Sequence, residues 1–580
     1  MGKKRWIIEI LFLLIITVPS FWILLNNHYF SMHDDQHIAR LFLLDQGIRQ
    51  GYWFPRWVDT LGFGYGYPLF NFYPPLIYYI AELFHLAGFS FIWSIKMLVI
   101  FGYVAGSLGI YGFVKSVLNK SSAILGAALY TYFFYHSITS YVRGALAEFF
   151  AITVLAYVFW QLYRLWKNPN VFNAILFGIV YGLLILTHPL IAFPALIFIG
   201  IATMVYFFFT LKRRILFVLY VGLGMCISFV LSAFFWIPSM FERRFTLIDR
   251  ILTGELADYK LHYIYPQQLW YSPWGYGGST PGLGDGITFQ LGKLHIVFVF
   301  IACVAAIVYF LKRKKVDLPL QFFILNFFLF SVSISLSLGY SSFVWDNIHY
   351  LAYIQFPWRM LTFTNIFIAL VGTSGVYFIG QLITPQYKRN VVVLVLSIVL
   401  SLVVVYRYSP YFRPQQLIST SDEQRTAYDE IAWRVSSTSY EFVPKEASTK
   451  KTAYGTTTLA IERKDIPKSS FEIPFGKATV KEHKILFGLK EYEVDVAGQA
   501  LFQLNTYYFP GWKVYIDGVE TNVGYTNRLH LMQVPLSSGR HTLVFVFSNT
   551  PVRNIADGIS VMGFLGIILF LGVRYFFRNS

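Results

Sequence analysis

WIIEILFLLIITVPSFWILL, residues 6–25, is the first of a series of apolar runs that decide the fold. An α-helix needs about 20 apolar residues to cross the hydrocarbon core of a bilayer. Lys3, Lys4 and Arg5 precede this run, and no cleavage site made of small residues follows it. We therefore interpret the run as a retained first membrane span and not as a signal peptide.

Eleven further runs of similar length follow along the chain. The sequence therefore predicts an α-helical polytopic membrane protein of about twelve spans. The composition agrees, because 56% of the 580 residues are hydrophobic and 13% are charged, whereas soluble domains carry about 25% charged residues. The further runs are 91–114, 121–139, 144–163, 171–187, 190–210, 215–237, 293–311, 319–337, 358–379, 391–407 and 556–575.

The net charge of +17 comes mostly from short basic clusters between the apolar runs. Clusters of this kind mark cytoplasmic loops, so no nucleic-acid partner is expected. All of them fall on one side of the membrane if residues 74–88, PPLIYYIAELFHLAG, do not cross it. The clusters are Lys3/Lys4/Arg5, Lys115/Lys120, Arg164/Lys167, Lys212/Arg213/Arg214, Lys312/Arg313/Lys314/Lys315, Lys388/Arg389 and Arg574/Arg578.

This charge distribution predicts a multi-pass protein of the cell (plasma) membrane with both termini in the cytoplasm. Residues 74–88 are predicted to form an outer interfacial or re-entrant helix. A transmembrane domain is expected over 1–408. Its outer loops are 26–90, 238–292 and 338–357.

The polar tract at 409–553 is predicted to be an extracytoplasmic β-rich domain. Its stretches 514–516, 529–534 and 541–547 alternate between apolar and polar residues, with glycine turn signals between them. This pattern indicates a β-sandwich or a jelly roll. A C-terminal transmembrane helix is expected at 554–580, so the β-rich tract is tethered to the membrane at both ends.

The paired acids in HDDQHIAR, residues 33–40, are the most informative polar feature. Two adjacent carboxylates at a membrane surface repel each other, so a cation, a metal or a substrate donor must offset the cost. Asp34 and Asp35 are therefore candidates for acid/base chemistry or for metal ligation. The alternative is a structural role at a helix N-terminus, where acidic residues interact favourably with the helix dipole.

Other polar residues that look out of place beside apolar runs also lie on the predicted outer side. The arginines in this set are candidate phosphate-binding groups, because the N–H donors of a guanidinium have a fixed planar geometry that matches two phosphate oxygens. An arginine at the end of a span can instead reach the lipid headgroups, and a histidine there can bond to a backbone carbonyl. These residues are Arg56 in FPRW, Arg143 and Glu148 in YVRGALAE, His188 in LTHP, Arg243 and Arg244 after FFWIP, and Arg359 in IQFPWR.

The glycine-rich segment at 271–286, YSPWGYGGSTPGLGDG, lacks the GKS/T of a nucleotide-binding loop. It is interpreted either as an outer loop that closes over a substrate or as a passive linker.

Taken together, these motifs resemble a known group of enzymes. A first span followed at once by paired acids, an outer PPL helix and many spans is similar to the GT-C superfamily of membrane glycosyltransferases. HDDQH, GYPLFNFYPPLIYY and IQFPWR resemble the membrane proteins labelled "6-pyruvoyl-tetrahydropterin synthase-related". YYFPGWKVYIDG and VPLSSGRHTLVF resemble the outer β-domain of the YfhO-like branch.

The resemblance implies roles for the residues at matching positions. The first acid after span one, Asp34, matches the general base of the superfamily, and Asp35 matches a second acid that acts as a metal ligand or a helper. Members differ in their use of metal, so a divalent cation, Mg²⁺ or Mn²⁺, is left open, with Asp34, Asp35 and His37 as its candidate ligands. The pair here is Asp-Asp and not the Asp-Glu of several branches, which leaves the division of labour between the acids undecided.

The expected activity is transfer of a sugar from a polyprenyl-phosphate donor to a glycan or protein acceptor on the outer face, with inversion. His37, Arg56, Arg143, Glu148, His188, Arg243, Arg244 and Arg359 are the expected substrate- or phosphate-binding residues. Two alternatives remain open, a transporter or flippase of lipid-linked glycans and a glycan-binding membrane scaffold. A transporter needs polar groups at mid-membrane depth, where Lys96 and Asp557 are the main candidates.

Overall fold

The structure is a computed structural model and describes residues 2–209, 213–252, 257–452 and 456–579. Lys212, from one of the predicted cytoplasmic clusters, lies outside these residues. The chain divides into two compact units. The first unit is made of Met1–Asp34, Lys96–Val230 and Ala257–Ser419, and the second of Asp35–Ile95, Leu231–Leu256 and Thr420–Ser580. The domain boundaries expected near residues 408 and 553 stay a prediction.

Nine helices in the described ranges are long and apolar enough to cross a membrane. Each coincides with one of the predicted apolar runs, which identifies a multi-pass membrane protein. They are Phe91–Val117, Leu146–Lys167, Pro189–Phe209, Arg214–Leu231, Lys293–Arg313, Leu318–Ser337, Pro357–Gln381, Gln386–Tyr411 and Pro551–Arg574.

The predicted number of about twelve spans is not confirmed, because three of the predicted runs form shorter helices. The apolar helical part of the first run is Glu9–Ser20, whose last turn is a 3-10 turn with a proline near its start. The helix Val171–Thr187 has 17 residues, or about 26 Å of length. The run at 121–139 is interrupted, because the helix Lys120–Thr131 ends before the separate short helix Phe134–Ser137.

The segment predicted as an interfacial helix does form a short helix, Leu76–Leu86, directly after two prolines. Its 11 residues extend about 16 Å, which is about half of the hydrocarbon thickness. The segment is therefore too short to cross the bilayer as a single helix.

The remaining elements of the first unit are short. Strands β1, Tyr29–Phe30, and β2, Leu417–Ile418, pair antiparallel. The other helices and turns are Gly2–Thr17, Trp22–Leu25, Ile138–Val142, Tyr259–Leu261, Pro266–Trp270, Gly339–Ser341, Ser342–Asn347, His349–Ile354 and Ser409–Tyr411.

A stripe of glycines packs the helix Phe91–Val117 against aromatic side chains. Gly102, Gly106, Gly109 and Gly112 recur every three or four residues and so lie on one face of the helix. A Cβ atom on any of them would come within 2.4 to 2.9 Å of an aromatic side chain. Small residues at this spacing allow close packing between membrane helices, where dispersion contacts take the place of the hydrophobic effect.

The second unit combines short helices with β-structure. Its helices are His37–Arg49, Leu69–Phe72, Leu76–Leu86, Ala233–Glu242, Ile248–Leu252, Asp422–Thr426, Glu430–Val435 and Pro551–Asn579. Its strands are β3 Thr449–Lys451, β4 Thr457–Leu459, β5 Phe471–Phe475, β6 Ala478–Leu486, β7 Leu489–Val496, β8 Ala500–Tyr507, β9 Trp512–Ile516, β10 Val519–Thr521, β11 Leu531–Leu536 and β12 Gly539–Phe547.

The strands form two main antiparallel sheets, which confirms a β-rich region near the C-terminus. One sheet has the order β10-β9-β12-β7-β6 and the other has the order β11-β8-β5. Aromatic rings from the two sheets pack on each other, since Phe502 of β8 lies 5.1 Å from Tyr492 of β7 and 5.8 Å from Phe545 of β12. Alternation along β7, with Tyr492 and Val494 fully buried, provides the apolar face.

Candidate functional site

A buried ion cluster in the first unit joins three of the predicted site residues. The Glu148 carboxylate accepts a hydrogen bond from Arg143 Nη1 at 2.7 Å and another from Arg359 Nε at 3.2 Å. The hydroxyls of Tyr135 and Thr362 donate to the same carboxylate. Glu148 is 0% exposed, and Arg143 and Arg359 are each 8% exposed. Two guanidinium groups therefore share one carboxylate, and this cluster keeps a net positive charge.

A tight turn brings Arg143 and Glu148 together. Arg143 follows the π-helical turn Ile138–Val142, and Glu148 lies in the first turn of the helix Leu146–Lys167. Gly144, between them, has a φ of +63°, and a Cβ there would come within 2.4 Å of Met32. Only glycine accepts this conformation and this close approach without strain.

Aromatic rings support both guanidinium groups. The Arg143 guanidinium lies 4.6 Å from the centroid of the Trp358 ring, and Arg359 lies 5.0 Å from that of Phe356. The Phe356 and Trp358 rings stack on each other at 4.7 Å. Cation–π contacts of this kind stabilise a desolvated arginine by up to about 2 kcal/mol. Burial disfavours the charge on Arg143, but Glu148, Tyr135 and Asp34 together outweigh it and raise the pKa of Arg143.

The loop that carries Asp34 is bound through its backbone to the turn that carries Arg143. The N–H of His33 donates to the carbonyl of Val142 at 3.0 Å, and the N–H of Asp34 donates to that of Arg143 at 2.8 Å. The Asp34 carboxylate interacts electrostatically with Arg143 and Arg359. Asp34 is exposed, and no described residue donates a hydrogen bond to its carboxylate. Asp34 therefore combines accessibility with a position beside the positive cluster.

The glycine-rich segment lies next to the same loop. The His33 ring is 2.9 Å from the carbonyl oxygen of Tyr276 through Nε2. Gly277 and Gly286 close the segment into a hairpin, with the N–H of Gly277 donating to the carbonyl of Gly286 at 2.9 Å. The segment is therefore a closed loop that touches the residue before Asp34.

His188 lies at the edge of the ion cluster. Its ring is partly buried, and its Nδ1 atom is fully buried without a hydrogen-bond partner among the described residues. Burial is the main reason that the pKa of His188 is lowered to about 3; the attraction of Glu148 opposes this effect, and the nearby Arg359 and Arg143 add to it. The ring is therefore neutral at physiological pH.

This lowered pKa predicts a pH dependence of stability. In the unfolded chain His188 binds a proton near pH 6.5, whereas in the folded chain it stays neutral until the pH is far lower. The free energy of unfolding therefore decreases as the pH is lowered below about 6.5. The slope from one such group is at most about 1.4 kcal/mol per pH unit. We expect His188→Gln to show a smaller decrease in melting temperature than the parent between about pH 7 and about pH 5. Equal decreases in both proteins would contradict the expectation.

Lys96 holds the start of the loop that leads to Asp34. Its ammonium donates to the backbone carbonyls of Asn26 and His28, the latter at 3.0 Å. Lys96 is 0% exposed, so these two hydrogen bonds help to offset the cost of burying its charge.

Lys96→Met is expected to loosen this loop. A hydrogen bond to a charged group contributes about 1.5–3 kcal/mol, so we expect a measurable decrease in melting temperature and faster amide hydrogen exchange over residues 26–34. The matched control is Lys120→Met, because Lys120 is 58% exposed and pairs with Glu9. Unchanged exchange over 26–34 in the Lys96 variant would show that Lys96 does not position the loop.

Asp35 belongs to the second unit, and its carboxylate forms ion pairs with two arginines. These arginines were not predicted as site residues from the sequence. It accepts a hydrogen bond from Arg425 Nη1 at 2.7 Å, and Arg434 Nη1 lies 3.5 Å away. Glu430 pairs with both arginines. Burial raises the pKa of Asp35 in spite of these cations. Asp35 therefore serves the packing of its own unit, which leaves Asp34 as the available carboxylate of the pair.

The metal ligands expected from the sequence, Asp34, Asp35 and His37, stay a prediction. Within the described ranges, no group of three or more His, Cys, Asp or Glu side chains is placed to hold a metal ion. Asp35 is held by Arg425, and the His37 ring is 1% exposed with Nδ1 at 3.1 Å from the Tyr78 hydroxyl. The helix His37–Arg49 places this ring in the unit's interior, and the expectation that His37 binds a metal or a substrate stays a prediction.

Arg56 takes part in a buried network of the second unit. Its Nη2 atom donates to Asp557 at 2.6 Å, and its Nη1 atom donates to Asn71 at 3.1 Å. Asn71 in turn donates to Glu242 at 2.8 Å, and Glu242 accepts from Arg553 Nε at 2.9 Å. The network contains two arginines and two carboxylates, so it is electrically neutral. Burial lowers the pKa of Arg56.

Arg243 and Arg244, also of the second unit, lie nearer the surface. Arg243 Nε is 3.5 Å from a carboxylate oxygen of Asp249. The Arg244 guanidinium is exposed and lies 4.9 Å from the ring of Phe245. Their predicted role in binding phosphate stays a prediction.

No protein-family model matches the chain, and no curated protein matches it. Among solved structures, the chain is similar to the arabinofuranosyltransferase AftD from Mycobacteria, with 12% identity over 71% of this chain and 27% of that chain and a TM-score of 0.44. It is also similar to the oligosaccharyltransferase AglB from Archaeoglobus fulgidus, in complex with an inhibitory peptide and a dolichol-phosphate, with 14% identity over 71% of this chain and 57% of that chain and a TM-score of 0.42.

The chain thus spans 27% of the length of the first protein and 57% of the length of the second. Its resemblance to the "6-pyruvoyl-tetrahydropterin synthase-related" and YfhO-like proteins stays a prediction.

The structure changes the role expected for Glu148. A substrate contact was predicted, but the carboxylate is fully buried and serves as the counter-ion of Arg143 and Arg359. Tyr135 and Trp358, which complete the cluster, were not predicted from the sequence. Trp358 could have been chosen as a candidate from the sequence, because it stands next to Arg359 in IQFPWR. No sequence signal points to Tyr135.

Proposed function

We propose that this protein is a membrane glycosyltransferase that moves a sugar from a polyprenyl-phosphate donor to an acceptor on the outer face of the membrane. The observation that carries the proposal is the buried cluster in which Arg143 and Arg359 share the Glu148 carboxylate, with Asp34 beside it. A positive cluster next to an accessible carboxylate suits a reaction that expels a phosphate and removes a proton.

Each guanidinium keeps donor capacity for a phosphate. Arg143 makes both of its side-chain hydrogen bonds through Nη1. Arg359 uses Nε for Glu148 and uses Nη1 for the Ile354 carbonyl and the Gln355 side chain. No described residue accepts from the Nη2 atom of either arginine. The Nη2 donors of both guanidinium groups are therefore available to the oxygens of an anion.

The proposed reaction is a single displacement at the anomeric carbon. Asp34 takes the proton of the acceptor hydroxyl, which requires its carboxylate within about 3 Å of that oxygen. The acceptor oxygen forms a bond to the anomeric carbon while the bond from that carbon to the phosphate oxygen breaks. The lipid phosphate leaves with the electron pair, and Arg143 and Arg359 stabilise its growing negative charge. The configuration at the anomeric carbon inverts.

Glu148 has a positioning role in this proposal. By binding both arginines it fixes their planes and offsets the cost of bringing two cations close together. The proposed reaction uses no metal ion, and the described residues contain no group of three or more potential ligands for one.

The outer location of the reaction, the cytoplasmic termini and the sandwich packing of the two sheets are parts of the same proposal. They follow from the distribution of basic clusters and from the contacts between aromatic rings in the β-rich region.

A transporter of lipid-linked glycans is the main alternative. The two charged residues that are candidates for mid-membrane binding have structural partners, since Lys96 donates to backbone carbonyls and Asp557 accepts from Arg56. This pairing favours the enzyme over the transporter.

A transfer assay tests the proposal. The full-length protein is reconstituted in vesicles with polyprenyl-phosphate donors that carry different radiolabelled hexoses, together with membrane glycans as acceptors. We expect label to leave the lipid carrier and to appear in a glycan, without movement of the carrier between leaflets. Movement of the intact donor between leaflets, without cleavage of any donor, would support the transporter instead.

A further inference from the structure

A groove with one polar end and one apolar flank lies in the second unit. Its volume is about 550 Å³, which falls within the range of about 300–1,000 Å³ found for ligand sites. The segment 52–57 and the end of β12 form one wall, and the start of the helix Pro551–Asn579 forms another.

The polar end of the groove consists of Arg56, Asp557 and Asn549. One carboxylate oxygen of Asp557 accepts from Arg56 and the other accepts from the Asn549 amide at 2.9 Å. The Asp557 side chain remains 36% exposed, while that of Arg56 is 6% exposed. The accessible groups are thus a carboxylate and an amide, and the cation lies behind them.

The charge at this end is balanced, which argues against an anionic ligand. Arg56 is paired with Asp557, and Arg553, behind it, is paired with Glu242. A phosphate would have to compete with Asp557 for Arg56. A hydroxyl-rich ligand, in contrast, donates to the carboxylate and to the amide oxygen without a net charge of its own.

Aromatic rings stand beside the polar groups. Tyr52, Phe54 and Phe547 line the groove and are partly exposed. A flat ring next to a carboxylate and an amide provides an apolar face for the C–H groups of a sugar, together with acceptors for its hydroxyls.

The opposite flank of the groove is a membrane helix. Val561, Phe564 and Leu565, spaced three and four residues from Val561, line the groove and are more than half exposed. This face continues with Ile568 and Leu569, which are also exposed. A lipid tail is the occupant that matches an apolar face on a membrane-spanning helix, and it would extend directly from a headgroup at Asp557.

We propose that this groove binds an uncharged glycolipid, with its sugar at Asp557 and Asn549 and its acyl chains along Val561, Phe564 and Leu565. The groove would hold a lipid whose headgroup carries hydroxyls and no phosphate. This binding function does not rest on the proposed transfer reaction, because it concerns a different set of residues and no chemical step.

Lipid retention by the purified full-length protein tests the proposal. The protein is mixed with hexosyl-diacylglycerols (glucosyl, galactosyl and mannosyl), phosphatidylglycerol and diacylglycerol of identical acyl chains, and bound lipid is measured by native mass spectrometry. We expect at least one hexosyl lipid to be retained about tenfold more than phosphatidylglycerol, as one additional hydrogen bond to a charged group implies. Equal retention of all lipids, or preference of the parent protein for phosphatidylglycerol, overturns the proposal.

Three variants separate the two ends of the groove. Asp557→Asn leaves Arg56 without its counter-ion, so we expect the preference to move toward phosphatidylglycerol. Phe564→Ala removes tail contacts and is expected to weaken retention of the hexosyl lipid severalfold. Met562→Ala is the matched control, because Met562 is 67% exposed on the same helix and does not line the groove.

A replacement variant and a soluble sugar complete the test. If Asp557→Asn does not fold, Asn549→Ala replaces it, with an expected loss of hexosyl lipid and no gain of phosphatidylglycerol. A methyl hexoside without acyl chains is expected to bind far more weakly than the lipid. Binding of the soluble sugar as tightly as the lipid, or an equal response of the Phe564 and Met562 variants, overturns the assignment of the tail.

Discussion

Replacing Asp34 by Asn is expected to lower the rate of sugar transfer by about 10²–10⁴-fold, the usual contribution of a general base. Asn has the same shape but cannot take the proton of the acceptor hydroxyl. The backbone hydrogen bond from residue 34 to the Arg143 carbonyl is retained in the variant, and the side chain is exposed. The melting temperature should therefore stay close to that of the parent, and the transfer assay in vesicles measures the loss.

Asp35→Asn is the matched control, because the two acids are neighbours with different surroundings. Asp35 is the counter-ion of Arg425 and Arg434, so its replacement should lower the melting temperature and reduce transfer less than the Asp34 change does. Full activity of the Asp34 variant would remove Asp34 from the mechanism. Loss of activity only in a well-folded Asp35 variant would move the role of base to Asp35.

Glu148→Ala is expected to lower the stability of the protein more than the Asp35 or Lys96 substitutions do. It leaves Arg143 and Arg359, each 8% exposed, without the carboxylate that they share. Breaking a buried pair by removing one partner typically costs about 3–5 kcal/mol, because the remaining charge is uncompensated. Unfolding in mixed micelles, followed by intrinsic fluorescence, measures the change in the free energy of unfolding.

Two comparisons make this result specific. Asp429→Ala removes the partner of Arg463 in a pair whose side chains are 70% and 67% exposed, and it should leave stability unchanged. Glu148→Gln preserves an acceptor but raises the positive charge of the cluster, so added inorganic phosphate should stabilise this variant more than the parent. A Glu148→Ala variant as stable as the parent would show that the two arginines do not depend on this carboxylate.

Apolar runs are a local property of the chain, and for this reason the membrane class and the nine long helices could be predicted from the sequence. The strands β9, β11 and β12 also coincide with stretches that alternate between apolar and polar residues. The break after Lys120–Thr131 could not be predicted in the same way, because the residues that follow, Tyr132, Phe133 and Phe134, are as apolar as a continuing span.

The candidate site was predictable in part. Three charged residues could be selected from the sequence, because a charge beside an apolar run is costly and is usually retained for a function. They are Arg143, Glu148 and Arg359. Their roles were not predictable, since the Glu148–Arg359 hydrogen bond joins residues that are 211 positions apart. The same holds for Asp35 and Arg425, which are 390 positions apart.

The amino-acid sequence by itself determined which segments are apolar enough for a bilayer, which tract forms strands and which charged residues are candidates for chemistry. Only the tertiary structure decided that Glu148 is the shared counter-ion of two arginines, that Asp35 is paired with Arg425 and that Asp34 is accessible. The physical reason is that hydropathy and alternation are set by neighbours in the chain. The state of a charge is set by whichever side chains the fold brings within a few ångströms of it.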